Sequence, residues 1–100
     1  DAFGGATLGG AGLLALLAAQ EAERAAAWRI TDIAEMRVLL GDTMEEDMAM
    51  TLPALDARWA VLSRALIAEH DRVAARGADD SAFLDFYLRS AARRELAWPA

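Results

Sequence analysis

The stretch from Leu66 to Leu88 reads LIAEHDRVAARGADDSAFLDFYL, and it holds the only histidine of the chain between Glu69 and Asp71. Its punctuation predicts a helix, a tight turn and a second helix. Gly77 suits a helix C-terminal cap, because glycine accepts the left-handed conformation that such caps need. Asp80 is expected to cap the next helix, whose apolar residues are Phe83, Phe86, Tyr87, Leu88 and Ala91.

Working back toward the N-terminus, Leu55, Trp59, Leu62, Leu66 and Val73 recur at steps of four, three, four and seven. This narrow stripe predicts one long amphipathic helix. Thr51-Leu52-Pro53 marks its start, since proline is tolerated in the first turn, where its missing N–H has no partner to lose. Upstream, Thr43-Met44-Glu45-Glu46 fits a capping box, and a short turn of helix is expected through Met48 and Met50. Gly41 reads as the C-terminal cap of the helix before it.

That first helix is expected from about Thr7. Its residues are apolar on nearly every side through Leu17 and turn polar at Gln20, Glu21, Glu23 and Arg24, so its front half is expected to be central and its back half exposed. Asp32-x-x-Glu35 reads as an internal capping box, with Ile33, Met36 and Leu40 as the apolar face beyond it. A bend near Trp28 to Thr31 is predicted on that ground.

Ala, Leu, Arg and Glu dominate, and no alternating apolar stretch of useful length appears. The fold class predicted is all-α, a small antiparallel bundle of three to four helices formed by residues 1–100 as a single helical domain. One hundred residues suffice for one core.

The chain carries ten basic residues, all Arg, against 16 acidic ones, a net charge of -6. Such a field repels nucleic acid and anionic lipid, so neither is expected as a partner. The apolar run from Ala6 to Ala19 is 14 residues, short of the roughly 20 that a membrane span needs. It lacks the preceding basic segment of a secretory signal, which leaves the cytoplasm as the default address. With no Cys, disulfides, thiolate nucleophiles and Cys-based zinc sites fall away.

The EHD triplet is the densest group of reactive side chains. Consecutive helical residues point about 100° apart, so Glu69, His70 and Asp71 cannot converge on one ligand. Neither Glu-x-x-His nor His-x-x-x-His occurs anywhere, so no metal site or cofactor is expected. His70, at the edge of the apolar stripe, reads as a partly buried structural histidine, with a ligand contact as the alternative.

Arg89 and Arg93 stand four apart on the last helix, a spacing that presents two guanidinium groups to one phosphate or carboxylate. The alternative is that they complement the helix C-terminus and pair with acids such as Asp85. Trp28, Trp59 and Trp98, with Met44 and Met48, bring much apolar surface to a small chain that is 56% hydrophobic. Some of these residues are expected at an interface, and homodimerisation follows.

The order of motifs resembles a bacterial family of small helical proteins, domain-of-unknown-function family 6285. The matching residues are Phe3, the Ala/Leu-rich helix with Glu21-Ala22-Glu23, Leu39-Leu40-Gly41-Asp42, Leu62 to Leu66, Asp79-Asp80-Ser81-Ala82-Phe83, Leu88-Arg89 and the Leu96 to Pro99 ending. The family tends to have proline where Ser81 stands and an Asp-Asn-Pro ending in place of Ala97-Trp98-Pro99. Its members are often encoded beside phosphotransferase-like kinases and acyl-CoA dehydrogenases. The resemblance therefore implies an accessory role with a metabolic enzyme as possible partner, and it carries over no catalytic residue. The reading favoured is a self-associating, non-enzymatic interaction module; the alternative is a small-molecule or acyl-CoA-binding protein using Arg89, Arg93 and His70. An enzyme requires a distant part of the fold to bring a carboxylate beside His70.

Overall fold

The computed structural model describes residues 2–42 and 50–96, and side chains from Gly10 onward within them, apart from that of Leu96. Three helices account for nearly all of these: α1 (Ala2–Leu40), α2 (Leu52–Ala75) and α3 (Ser81–Leu96). The described residues contain no strand. The chain is all-α, as its composition and periodicity require. None of its described helices is long and apolar enough to cross a membrane.

Both glycine caps are where the sequence puts them. Gly41 and Gly77 adopt φ of 69° and 67°. At α1 the Gly41 N–H donates to Val38 O at 3.1 Å and the Asp42 N–H to Arg37 O at 2.9 Å. The Gly77 and Ala78 N–H groups repeat this pattern on Ala74 O and Val73 O, so both helices close with the paired bonds of a Schellman motif. Thr51 opens α2 in an extended conformation, its side chain accepting from the Ala54 N–H, with Pro53 in the first turn.

The start of α3 corrects one expectation. The side chain that accepts a backbone N–H is that of Asp79, from Ser81 at 3.0 Å. Asp80 contributes its carbonyl, which accepts from Phe83 and Leu84. Its carboxylate is free to turn to His70.

The core consists of Leu55, Leu62, Leu66 and Val73 from α2, Ile33 and Met36 from α1, and Phe83 and Phe86 from α3, with Trp59 partly buried beside them. The α2 stripe is thus the buried face, as predicted. Contacts between α1 and α2 keep a constant separation of 27 residues: Arg29 with Asp56, Asp32 with Trp59, Met36 with Ser63. These two helices therefore run in the same sense where they touch, a departure from the antiparallel arrangement expected of the bundle. Across α1 and α3 the numbers move oppositely, with Asp32 on Arg93 and Glu35 on Arg89 as well, so that pair runs in opposite senses. The connection from Gly41 to Thr51 is 11 residues, which at full stretch spans about 36 Å. That is enough for α2 to return alongside α1, which a short hairpin loop would forbid.

The largest departures concern α1. It begins at Ala2 rather than Thr7 and continues through Trp28 to Thr31 without the predicted bend. Asp32-x-x-Glu35 is no capping box, because both carboxylates reach sideways to other helices, and the Thr31 hydroxyl donates back to Ala27 O as in a continuous helix. Burial along α1 is also reversed. Leu13, Leu14, Leu16 and Leu17 are 46 to 70% exposed, whereas Asp32, Ile33 and Met36 are buried. α1 packs on the core only from about Ala26 onward; the rest projects, giving a longest dimension of 70 Å and a radius of gyration of 18.7 Å, against about 13 Å for a compact chain of this length. Met50 is exposed and non-helical, while the predicted capping box at Thr43 and the turn through Met48 fall outside the described residues.

Candidate functional site

Three polar or cleft-forming arrangements stand out, and the first is built around Asp32. This residue lies one position before Ile33 and four before Met36, which places it on the core face of α1. Its side chain has 0% exposure. The indole N–H of Trp59 donates to Oδ2 at 2.9 Å, and the Ser90 hydroxyl donates to the same oxygen at 2.6 Å. Arg93 donates to Oδ1 through Nε at 2.9 Å and through a terminal nitrogen at 2.7 Å. A carboxylate has about four acceptor positions, and all are used. Arg93 also donates to Glu35, which accepts from Arg89 Nε at 3.0 Å.

Burial pulls the Arg93 guanidinium down, but hydrogen bonds and charge from Glu35 and Asp32 outweigh it and raise Arg93 above the ordinary arginine range. The cluster is a charged staple that fixes α1 against both other helices. Within it, Asp32 has no acceptor position left for a ligand.

The second arrangement centres on His70. Its Nε2 lies 2.8 Å from Asp80 Oδ2 and its Nδ1 3.0 Å from the Tyr87 hydroxyl. The ring stacks on Phe83 with centroids 5.0 Å apart and planes at 8°. A neutral imidazole donates to Asp80 and accepts from Tyr87; an imidazolium donates to both. The fold thus brings a distant carboxylate beside His70, in the order carboxylate, imidazole, hydroxyl that nucleophilic sites use. Here, however, the hydroxyl is a phenol. Burial and then the charges of Asp71 and Asp80 raise the Tyr87 pKa above the ordinary phenol value. Both ring nitrogens of His70 are occupied. The trio acts as a latch between α2 and α3, bonding residues on both sides of the Gly77 turn.

The third is a cleft of about 160 Å³ between α2 and α3, walled by Trp59, Ser63, Ile67, Phe86 and Tyr87, with Arg94 at its edge. The Arg94 guanidinium lies 5.8 Å from the Trp59 ring and 6.0 Å from that of Trp28. It donates weakly to Ser90 O and forms no ion pair among the described residues.

The nominated residues divide accordingly. Arg89 and Arg93 do converge, as their spacing predicts, but on Glu35 of α1; neither pairs with Asp85. His70 shares no partner with them. Trp28 and Trp59 pack edge to face at 5.9 Å, with Arg29 over Trp28 at 4.2 Å, so they join helices within the chain. Trp98, Met44 and Met48 lie outside the described residues. Sequence reasoning took Asp32 only for a helix cap, although its place one turn before Met36 on an apolar face signalled burial, and it passed over Arg94, which offered no signal beyond being one arginine of several.

No family model, curated protein or solved structure matches the chain.

Proposed function

We propose that this protein is a non-enzymatic helical interaction module that associates with itself. The observation that carries this reading is the projecting half of α1, where Leu13, Leu14, Leu16 and Leu17 face solvent together. Apolar side chains clustered in this way mark surfaces that are covered in the working assembly. Leucines at 13, 14, 16 and 17 occupy an arc of about 160° on the helix, with Gly12, Ala15, Ala18 and Ala19 on the remainder. One side therefore carries apolar bulk and the other is slim enough for close approach.

Two further features favour a module over an enzyme. Asp32 makes four hydrogen bonds within the fold, and both ring nitrogens of His70 are bonded there too. Arg89 and Arg93 both hold Glu35, which supports reading them as part of the ion-pair network that joins α3 to α1. An accessory role beside a metabolic enzyme, which the family resemblance implies, belongs to the same reading, with the cytoplasm as the default address.

Sedimentation equilibrium tests this directly. The wild-type chain is expected to sediment as a dimer at micromolar concentration, and Leu14→Glu with Leu17→Glu as a monomer. A monomeric wild type retaining a small molecule in native mass spectrometry overturns the proposal.

A further inference from the structure

We infer that the cleft between α2 and α3 receives the Leu13 to Leu17 segment of a second copy of this chain, so that each protomer supplies a fourth helix to the other. This rests on the self-association proposed above and names the surface that the leucines meet.

The helix cannot serve its own cleft. Between Leu13 and Leu40 there is neither glycine nor proline, and α1 is continuous. At 1.5 Å per residue, Leu14 stands about 27 Å along the axis from Asp32. Asp32 in turn touches Trp59, a wall of the cleft. The leucines are held well away from the nearest apolar cleft by the rigidity of the element that bears them. A second copy has no such constraint, and a two-fold arrangement satisfies both clefts at once.

Size and charge agree. A space of about 160 Å³ is comparable with the roughly 150 Å³ cavity that accommodates a benzene ring. It therefore takes one or two leucine knobs rather than a whole helix. Its walls are almost wholly carbon, and Ile67 on the rim is half exposed. Leu14, Leu17 and Glu21 lie at i, i+3 and i+7, on one face of α1. Seating Leu17 in the cleft places Glu21 about one turn, 6 Å, farther along the same face. Arg94 stands at the edge of the cleft without a carboxylate, and Glu21 forms no ion pair among the described residues. The apolar parts fit each other, and the unpaired charges are opposite in sign.

Complementation of two broken surfaces tests this. Leu14→Glu with Leu17→Glu breaks the arm, and Ile67→Glu breaks the cleft at an exposed position that the fold tolerates, checked by circular dichroism. Each variant alone is expected to dimerise at least tenfold more weakly than wild type in sedimentation equilibrium. An equimolar mixture is expected to recover a heterodimer, because one intact arm then meets one intact cleft. Glu21→Arg is expected to weaken dimerisation, and adding Arg94→Glu to restore it. A dimer indifferent to Ile67→Glu and abolished by the arm variant means that arms pair with arms, which overturns this inference and leaves self-association standing. A monomeric wild type overturns both. A cleft that instead takes a free aryl carboxylate such as benzoate, while Ile67→Glu leaves the dimer intact, also overturns it.

Discussion

Asp32 on α1 and Arg93 on α3 are 61 residues apart in sequence, and two hydrogen bonds of 2.9 and 2.7 Å join them inside the fold. The carboxylate is completely buried and the guanidinium largely so. Taking a buried ion pair out of water costs free energy that its mutual attraction only partly returns, so removing one partner is far worse than removing both. Asp32→Ala is expected to destabilise the chain by about 3 kcal/mol, since it also strands the Trp59 N–H and the Ser90 hydroxyl. Urea unfolding followed by Trp fluorescence measures this. The double variant Asp32→Leu with Arg93→Met is expected to lose less than Asp32→Ala alone, and a larger loss would refute the staple.

The single tyrosine of the chain makes its titration readable by absorbance. Burial, then Asp71 and Asp80, favour the neutral phenol in the folded state. The folded protein therefore holds the Tyr87 proton to higher pH than the unfolded chain, whose phenol titrates near 10. The sign follows: stability from Tyr87 is fully present below about pH 10 and disappears as pH rises through the folded value. The phenolate band is expected at higher pH in native protein than in urea, and Asp80→Asn is expected to bring the native midpoint down. A midpoint unchanged by urea would mean that burial and the two aspartates do not perturb the phenol.

Leucines at 66 and 14 are chemically identical and differ in surroundings, one 1% and the other 70% exposed. Leu66→Ala opens a hole among packed neighbours and is expected to cost about 2 to 5 kcal/mol. Leu14→Ala removes little buried surface within the protomer, so monomer stability is expected to change by less than about 0.5 kcal/mol, while dimerisation weakens. Thermal melts at low concentration separate the two effects. A large loss of monomer stability on Leu14→Ala would mean that α1 packs on its own chain.

Much of the local structure is legible in the sequence because it is decided locally. Gly41 and Gly77 end helices since a left-handed residue must stand there. Thr51 and Pro53 start one because of what they do to neighbouring N–H groups. The stripe from Leu55 to Val73 shares a face by helical period alone. The separation of Glu69, His70 and Asp71 follows from the same geometry, and the structure sends them to Arg72, to Asp80 with Tyr87, and away from each other.

Tertiary structure alone decided which half of α1 lies inside, which way α2 runs beside it, and what Asp32 and Arg93 hold. Hydrophobicity states how strongly a residue avoids water but does not name what will cover it. The most apolar part of α1 is left outside because of register: with pairs 27 residues apart, α2 begins at Leu52 level with Ala25 and lines nothing before it. Charge partners are equally invisible along the chain, since the pairing of Asp32 with Arg93 exists only after three helices have met.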